Sequence, residues 1–494
     1  MNRRYFLRSA VAAGIASTVP TRALLAQMAE VRDDIEALTG DSRSISIEQA
    51  AIDELAGSLR GNLLMPGNAG YDAARRVLNE TIDKHPALIV QPTGVGDIQN
   101  AVTFARERDL LLAVKCGGHS YGGKSTCEGG MQIDLSTFRH ARVDRQSKTI
   151  HVAGGSLLGE MDHESMAHGL VTPAGTVSHT GVGGLTLGGG FGRVARRWGL
   201  SLDNVRSMQV VTADGELVFA SGDENPDLYW GLRGGGGNFG VVTNFEFDLY
   251  PMQRTVVAGE IMYPVTRFRE MLDIYSEYAF TAADELYLDP MAVVTPSVDQ
   301  NVAMFIVCYS GDPAKADEML APLRQLGPVV DTVKTWDYVA LQQAYDNTEP
   351  RNIGQYLKGG FVNEVPDAMC DEIVQRLEPV PGGSTMVYFQ HSGGAIGRVA
   401  TDETAFAHRN AIANMFFIGS YPRDADPELH FDNIRSLYNA VDRYTDGWYT
   451  NEVSNEPQRI QHSNYQGNFD RLLALKNKYD PGNLFRLNAN IDPA

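Results

Sequence analysis

Apolar positions change their spacing several times along this chain, and each change predicts a different element. Residues 45–60 carry them at helical intervals, which predicts a helix within an N-terminal segment, 27–81. Residues 87–90 form a short apolar run stopped by Gln91-Pro92, the signature of a buried strand. From Asp97 to Arg108, Ile98, Ala101, Val102, Phe104 and Ala105 share one face, predicting a helix with Asp97 as its N-cap. Residues 110–115 return to a buried-strand pattern. Strand, helix and strand together predict a βαβ unit, so the fold begins as α/β.

Further along, strand patterns are broken by glycine: 131–135, 149–153, 208–212 with its Asp214-Gly215 turn, and 241–249. The last alternates, with Phe245, Phe247 and Leu249 opposite Asn244, Glu246 and Asp248. Tyr250-Pro251 ends it and marks a domain boundary. Residues 256–442 mix a helical pattern at 314–326 with strands at 302–309 and 386–390, predicting a second, α+β domain. The tail from 447 closes with a helix at 468–479, stopped by Asp480-Pro481-Gly482. The resulting organisation is 1–26, 27–81, 82–254, 255–446 and 447–494.

Composition narrows the function. With 42 Lys and Arg against 61 Asp and Glu, the net charge is −19, and such a surface repels phosphate backbones and anionic headgroups. Nucleic-acid binding is not expected. Asn2-Arg3-Arg4-Tyr5-Phe6-Leu7-Arg8 precedes a weakly apolar run at 10–19 that is too short to span a bilayer. It reads as a twin-arginine export signal, removed between residues 23 and 27, with the twin-arginine export machinery as partner and the periplasm or exterior as destination. No later segment approaches about 20 continuous apolar residues, so stable membrane insertion is not expected. Cys116, Cys127, Cys308 and Cys370 have neither CxxC spacing nor scaffold density. Cys116 and Cys127 bracket a glycine-rich loop where a disulfide is conceivable, buried free thiols being the commoner state.

Of the 50 glycines, 27 lie between Lys115 and Gly240, which implies backbone approaching something closely. Two stretches imitate the dinucleotide fingerprint. Gly235-Gly236-Gly237-Asn238-Phe239-Gly240 precedes a strand where a fingerprint follows one, and Gly190-Phe191-Gly192-Arg193-Val194-Ala195 follows more glycine. His163 and His168 are spaced i,i+5, which turns them apart on a helix, so no metal site is expected. No P-loop and no GxSxG elbow is present. What survives is Lys115-Cys116-Gly117-Gly118-His119-Ser120-Tyr121-Gly122-Gly123 after a buried strand. Its two glycines let successive N–H groups converge on an anion such as a pyrophosphate, with His119 beside it.

Residues 115–122, the segment from Thr180-Gly181-Val182-Gly183-Gly184 to Gly190, the segment from Trp230-Gly231-Leu232-Arg233 to Thr243, and Lys478-Tyr479-Asp480-Pro481-Gly482-Asn483-Leu484-Phe485 resemble the FAD-linked oxidases of the vanillyl-alcohol oxidase superfamily, most of all their berberine bridge enzyme-like subgroup. The resemblance implies an α+β fold: a two-part FAD-binding domain of the p-cresol methylhydroxylase type with an inserted α+β substrate domain carrying an antiparallel sheet. It implies covalent FAD on His119. The cysteine that makes a second bond in the subgroup falls at Val177, so attachment through one histidine is expected. Lys115, Cys116, Gly117, Gly118, Ser120, Tyr121, Gly122, Ser125, Thr180, Gly181, Gly183, Gly184, Leu185, Thr186, Gly189, Gly190, Val241, Val242, Asn488 and Asn490 are the implied cofactor-binding residues.

The family's Tyr-x-Asn motif is matched by Tyr449-Thr450-Asn451, with Tyr449 the implied base and Gln390, His391 and His408 in the segments that line the substrate cavity. A phenol of pKa near 10 needs a neighbouring donor or the flavin's field to ionise. The implied activity is hydride transfer from the C–H of a sugar, phenolic or aliphatic alcohol, a small-molecule substrate, to flavin N5, with O2 or another electron acceptor completing the cycle. A dehydrogenase using a non-oxygen acceptor, a flavin-binding protein without turnover and a metal-dependent hydrolase are the competing readings.

Overall fold

The computed structural model describes residues 34–297, 299, 301–347, 353–452 and 463–494. The twin-arginine stretch lies outside the described residues. The chain opens with an antiparallel pair, β1 Ile35–Leu38 and β2 Ser44–Ile47, followed by α1 Gln49–Ser58 and β3 Asn62–Leu64. The helix expected over 45–60 is therefore shorter at its start, and the segment 27–81 is not simply helical. Ser44-Ile45-Ser46-Ile47 alternates with a period of two, and that local alternation overrides the longer helical pattern.

The first sheet has the order β3-β4-β6-β5, where β4 is Leu88–Gln91, β5 Leu112–Lys115 and β6 Met131–Asp134. Both β4 and β5 run parallel to β6, with α2 Val95–Glu107 as the crossover. Asp97 is not the N-cap of α2. Gly94 holds that position, and Asp97 sits in the first turn, accepting from the N–H groups of Thr93 and Arg60, both at 2.8 Å, and Gly61 at 3.1 Å. Its carboxylate thus ties the loop after α1 to the start of α2.

A second, antiparallel sheet has the order β11-β10-β12-β8-β7. It is built from β7 Ala141–Asp144, β8 Thr149–Ala153, β10 Val205–Val211, β11 Leu217–Ser221 and β12 Val241–Asp248. Between β8 and β10 lie the short strand β9 Leu170–Val171 and α3 Val182–Gly188. Tyr250–Pro251, β13, pairs with β9 before the chain leaves for the third sheet.

The third sheet is antiparallel throughout, with the order β17-β14-β16-β15-β20-β21-β19 and β18 beside β14. Its strands are β14 Thr255–Pro264, β15 Leu286–Val294, β16 Val302–Tyr309, β17 Val330–Asp331, β18 Lys334–Asp337, β19 Ile353–Val362, β20 Ser384–His391 and β21 Ala413–Pro422. Helices α4 Phe268–Tyr278, α5 Asp367–Arg376 and α6 Glu428–Val441 cover one face, burying Phe268, Met271, Ile373 and Ile434 against Leu288, Phe305, Phe389 and Phe417. Alternation sends the intervening side chains to the opposite face. The helix expected at 314–326 is broken into Ala316–Leu320 and flanking 3-10 turns, since Pro322 has no N–H to continue it.

The tail returns to the second sheet through α7 Phe469–Tyr479, whose Leu472 and Leu475 share a core with Trp230 and Phe239. A buried ion pair locks it there. Lys476 Nζ donates to Asp480 at 2.7 Å, to Asn238 O at 2.9 Å and to Phe485 O at 3.2 Å, while Asp480 accepts from the N–H groups of Leu484 and Phe485. Replacing Lys476 by Met strands a buried carboxylate. The K476M variant is expected to lose about 3–5 kcal/mol in urea unfolding, and a parent-like midpoint would show that the pair is dispensable.

Candidate active site

The inner face of the third sheet and the glycine-rich loops of the first two enclose a cavity of about 630 Å³. That lies within the roughly 300–1,000 Å³ usual for small-molecule and cofactor sites. Its wall includes Cys116, Gly117, Gly118, His119, Ser120, Tyr121 and Ser125 from the loop after β5, and Thr180, Gly181, Gly183, Gly184 and Leu185 around the start of α3. Val241 and Val242 of β12, Asn488 of the tail, Tyr449 and Asn451 complete this side, and Gln390 lies opposite on β20.

Glycine is required where these loops meet. A Cβ on Gly117 would lie 2.4 Å from Gly181 N, and one on Gly181 the same distance from Cys116 Sγ. The two backbones are in direct contact. At Gly118 the backbone is left-handed, φ 72°, turning the chain toward His119, and at Gly184 a Cβ would meet nothing within 4 Å.

Several expected residues support the wall without lining it. Lys115 Nζ points under the loop, donating to Ala74 O at 2.5 Å and pairing with Asp134 at 3.6 Å. Gly122, Thr186, Gly189, Gly190 and Asn490 are also outside the lining, and Gly189 and Gly190 act from behind it on Tyr449. His391 faces away: on β20, Met386, Tyr388 and Gln390 point into the cavity, while Phe389 and His391 alternate toward the helices. Arg196 Nη1 donates to His391 Nε2 at 3.0 Å, and burial holds the imidazole well below its ordinary pKa. His408 likewise lies outside the cavity, stacked on Phe361 at 4.4 Å and bonded to Asn464 O. All four cysteines are free thiols, so Cys116 and Cys127 are not paired.

His119 is held at both ring nitrogens. Nε2 is 2.7 Å from His179 Nδ1, and Nδ1 is 3.3 Å from Thr180 Oγ1. His179 Nε2 in turn is 3.2 Å from the Asp346 carbonyl oxygen. The Asp346 carboxylate accepts from Ser178 N–H at 2.8 Å and Ser178 Oγ at 2.6 Å, fixing the segment that carries His179.

Tyr449 is buried, and its oxygen accepts two N–H groups: Gly190 N at 2.8 Å and Asn451 Nδ2 at 2.9 Å. A Cβ on Gly189 would come within 2.8 Å of the Tyr449 ring, and one on Gly188 within 2.2 Å of Asn451 Oδ1, so α3 ends in glycine to admit this pair. Burial, with the nearby Glu452 charge, raises the phenol above its ordinary 10.0; the two donors act in the opposite direction without cancelling it. A separate set of hydrogen bonds holds Gln390, which accepts from Asn414 Nδ2 at 3.2 Å, while Asn414 also donates to Glu452 at 2.7 Å.

A family profile described as FAD binding domain matches residues 86–221, and one described as Berberine and berberine like matches residues 448–492. An FAD-linked oxidoreductase of Dictyostelium discoideum is 33% identical over 447 residues, covering 90% of this chain and 97% of its own. The chain belongs to the berberine-like FAD-linked oxidoreductases. The (R)-6-hydroxynicotine oxidase of Paenarthrobacter nicotinovorans is 30% identical over 461 residues, covering 88% of this chain and 97% of its own. Among solved structures, 6-hydroxy-D-nicotine oxidase from Arthrobacter nicotinovorans superposes with a TM-score of 0.80 at 28% identity, covering 88% of this chain and 99% of its own. A chitooligosaccharide oxidase gives 0.81 at 25% identity, covering 90% and 100%.

The cavity of this FAD-linked oxidoreductase fits FAD on its own evidence. It is lined by bare backbone at Gly117, Gly118 and Gly184, a surface of the kind that would hold a dinucleotide's phosphates without side chains. Ser125 Oγ, buried in the wall, has no hydrogen-bond partner among the described residues. No group of three metal-ligating side chains occurs among the described residues.

Sequence reading missed a second polar cluster, on the third-sheet side of the cavity. Tyr388 donates to Asp289, and its oxygen is 2.8 Å from Tyr287 Oη; both tyrosines line the cavity. His391 N–H also donates to Asp289, at 2.8 Å. The alternation of Tyr287, Asp289 and Met291 along β15 was the available signal. Burial pushes Asp289 from the ordinary 3.8 up to about 7, and Asp162 is raised likewise. Between those pH values the folded chain keeps a proton that the unfolded chain has released, so stability falls as pH rises through the window. For Asp289→Asn, urea midpoints are expected to move in the variant's favour, relative to the parent, from pH 5 to pH 8; parallel curves would mean that Asp289 is already ionised in the fold.

Proposed function

We propose that this enzyme oxidises an alcohol whose body is largely apolar, with FAD attached through His119 and Tyr449 as the base. The observation that carries the reading is that His119 and Tyr449, whose oxygen accepts two hydrogen bonds, line one cavity. The other cysteine and cysteine-equivalent positions in the wall favour a single bond. Val177 carries no thiol, and burial pushes the Cys116 thiol up to about 11, so it stays protonated and its sulfur contacts Ser156 O.

FAD bound here would accept hydride from the substrate carbon and be reoxidised by O2 with release of hydrogen peroxide. The residues of the chain supply position and proton transfer. Gly190 N–H and Asn451 occupy both lone pairs of the neutral phenol, so the position left for the substrate hydroxyl is the one that the O–H vacates on ionisation. Once ionised, Tyr449 takes the proton of the substrate hydroxyl while the same two donors hold the phenolate. Tyr287, Met291, Ile306, Met386, Phe416 and Ile418 provide an apolar and aromatic bed for the substrate, and Gln390 and Tyr388 are its polar contacts. The names of the relatives, a hydroxynicotine oxidase and a chitooligosaccharide oxidase, agree with oxidase chemistry on hydroxyl-bearing substrates.

Arg3 and Arg4 support export to the periplasm or exterior by the twin-arginine route. Substituting both by Lys is expected to leave the protein in the cytoplasmic fraction, and unaltered export would rule that route out.

Acid-precipitated, washed protein is expected to stay yellow, with the flavin on the peptide containing His119 and none on that of Val177. A colourless pellet and colourless supernatant would overturn the assignment. With the fastest member of a panel of benzylic and aliphatic alcohols, Tyr449→Phe is expected to slow anaerobic flavin reduction by about 100-fold or more. Because the base form is the active one and its pKa is raised, kcat/KM of the parent should climb with pH through the alkaline range and this slope should vanish in the variant.

A further inference from the structure

The pairing of His119 with His179 is not needed to bind a dinucleotide or to oxidise an alcohol, since His179 does not line the cavity. Its hydrogen bonds define a proton arrangement. The Asp346 carbonyl can only accept, so His179 Nε2 carries the hydrogen of that bond and, in a neutral ring, Nδ1 carries the lone pair. His179 Nδ1 is 2.7 Å from His119 Nε2, which must therefore be the N–H partner. His119 Nδ1 is left with the lone pair, and Thr180, which does line the cavity, supplies the hydroxyl that meets it at 3.3 Å. The nucleophilic nitrogen thus lies on the Thr180 side, and the protonated one is tied to a ring behind the wall.

Resting on covalent attachment at His119, we propose that His179 is the positioning residue for that attachment: with the Asp346 carbonyl it holds His119 protonated at Nε2 so that Nδ1 forms the bond. The bond joins Nδ1 to the flavin 8α carbon. That methyl gives up one proton, the ring system takes up two electrons, and the proton on His119 Nε2 passes to His179 Nδ1 as the alkylated imidazole returns to neutrality. O2 then takes the two electrons and two protons and leaves as hydrogen peroxide, restoring the oxidised flavin. A tautomer fixed by a neighbouring acceptor is a familiar way to ready an imidazole, and losing such a partner is costly even when the ring stays in place.

The test is made on full-length protein from riboflavin-starved cells, given FAD and sampled over time by acid precipitation and intact mass. In His179→Phe the acceptor is lost; the expected result is attachment slowed about 100-fold while FAD still binds and quenches its fluorescence. In His179→Gln the side-chain oxygen can accept from His119 and the amide can donate to Asp346, so attachment should return to within about 10-fold of the parent. Attachment in the Phe variant at the parent rate, or equal slowing in both variants with FAD still bound, would overturn the role of His179. A parent that never acquires covalent flavin would overturn the attachment itself, a result distinct from either.

Discussion

Contact between the two glycine loops sets the distances on which the site depends. Gly117 and Gly181 touch through their backbones, with no room for a Cβ on either, and only because they do can His119 on one loop meet Thr180 and His179 on the other. A methyl group at either glycine would push apart loops that belong to different sheets, and the histidine would lose both partners. The cavity wall, the orientation of the imidazole and the exposed backbone all follow from that one approach.

A second convergence closes the other end. Tyr449 reaches across from the segment that returns to the FAD-binding side, and its oxygen is held by Gly190 N–H behind α3. Glycine again makes the room, at Gly188 for Asn451 and at Gly189 for the ring. The return is anchored away from the chemistry by Lys476 and Asp480, two buried charges satisfied by each other and by backbone groups on both sides. Such a pair specifies where the tail docks, because any other docking leaves a charge buried without a partner.

The third sheet divides its work by alternation. One face supplies a hydrophobic core for three helices, while the other supplies tyrosines, methionines and Gln390 to the cavity. Gln390 and His391 are neighbours in sequence yet fulfil opposite duties, one on the site and one beneath the helices. Asp289 sits behind Tyr388 and Tyr287, where burial favours its protonated form and where it orders the two phenols that the cavity presents.

The residue order by itself determined the βαβ start, the glycine crowding after the strand at 112–115, the family and the presence of His119, Tyr449 and Asn451, because these depend on local period, backbone freedom and contiguous motifs. It misjudged Asp97 and the stretch 45–60, where a cap and a helix start turn on one or two residues, and it grouped His391 and His408 with the site though neither lines it. Tertiary structure alone decided that His179 stands behind His119, that Tyr287, Asp289 and Tyr388 form one cluster, and that Lys115 points under the loop. Each of those depends on contacts between residues tens to hundreds of positions apart, and no local pattern encodes which of two opposite faces a distant strand will bring to the same place.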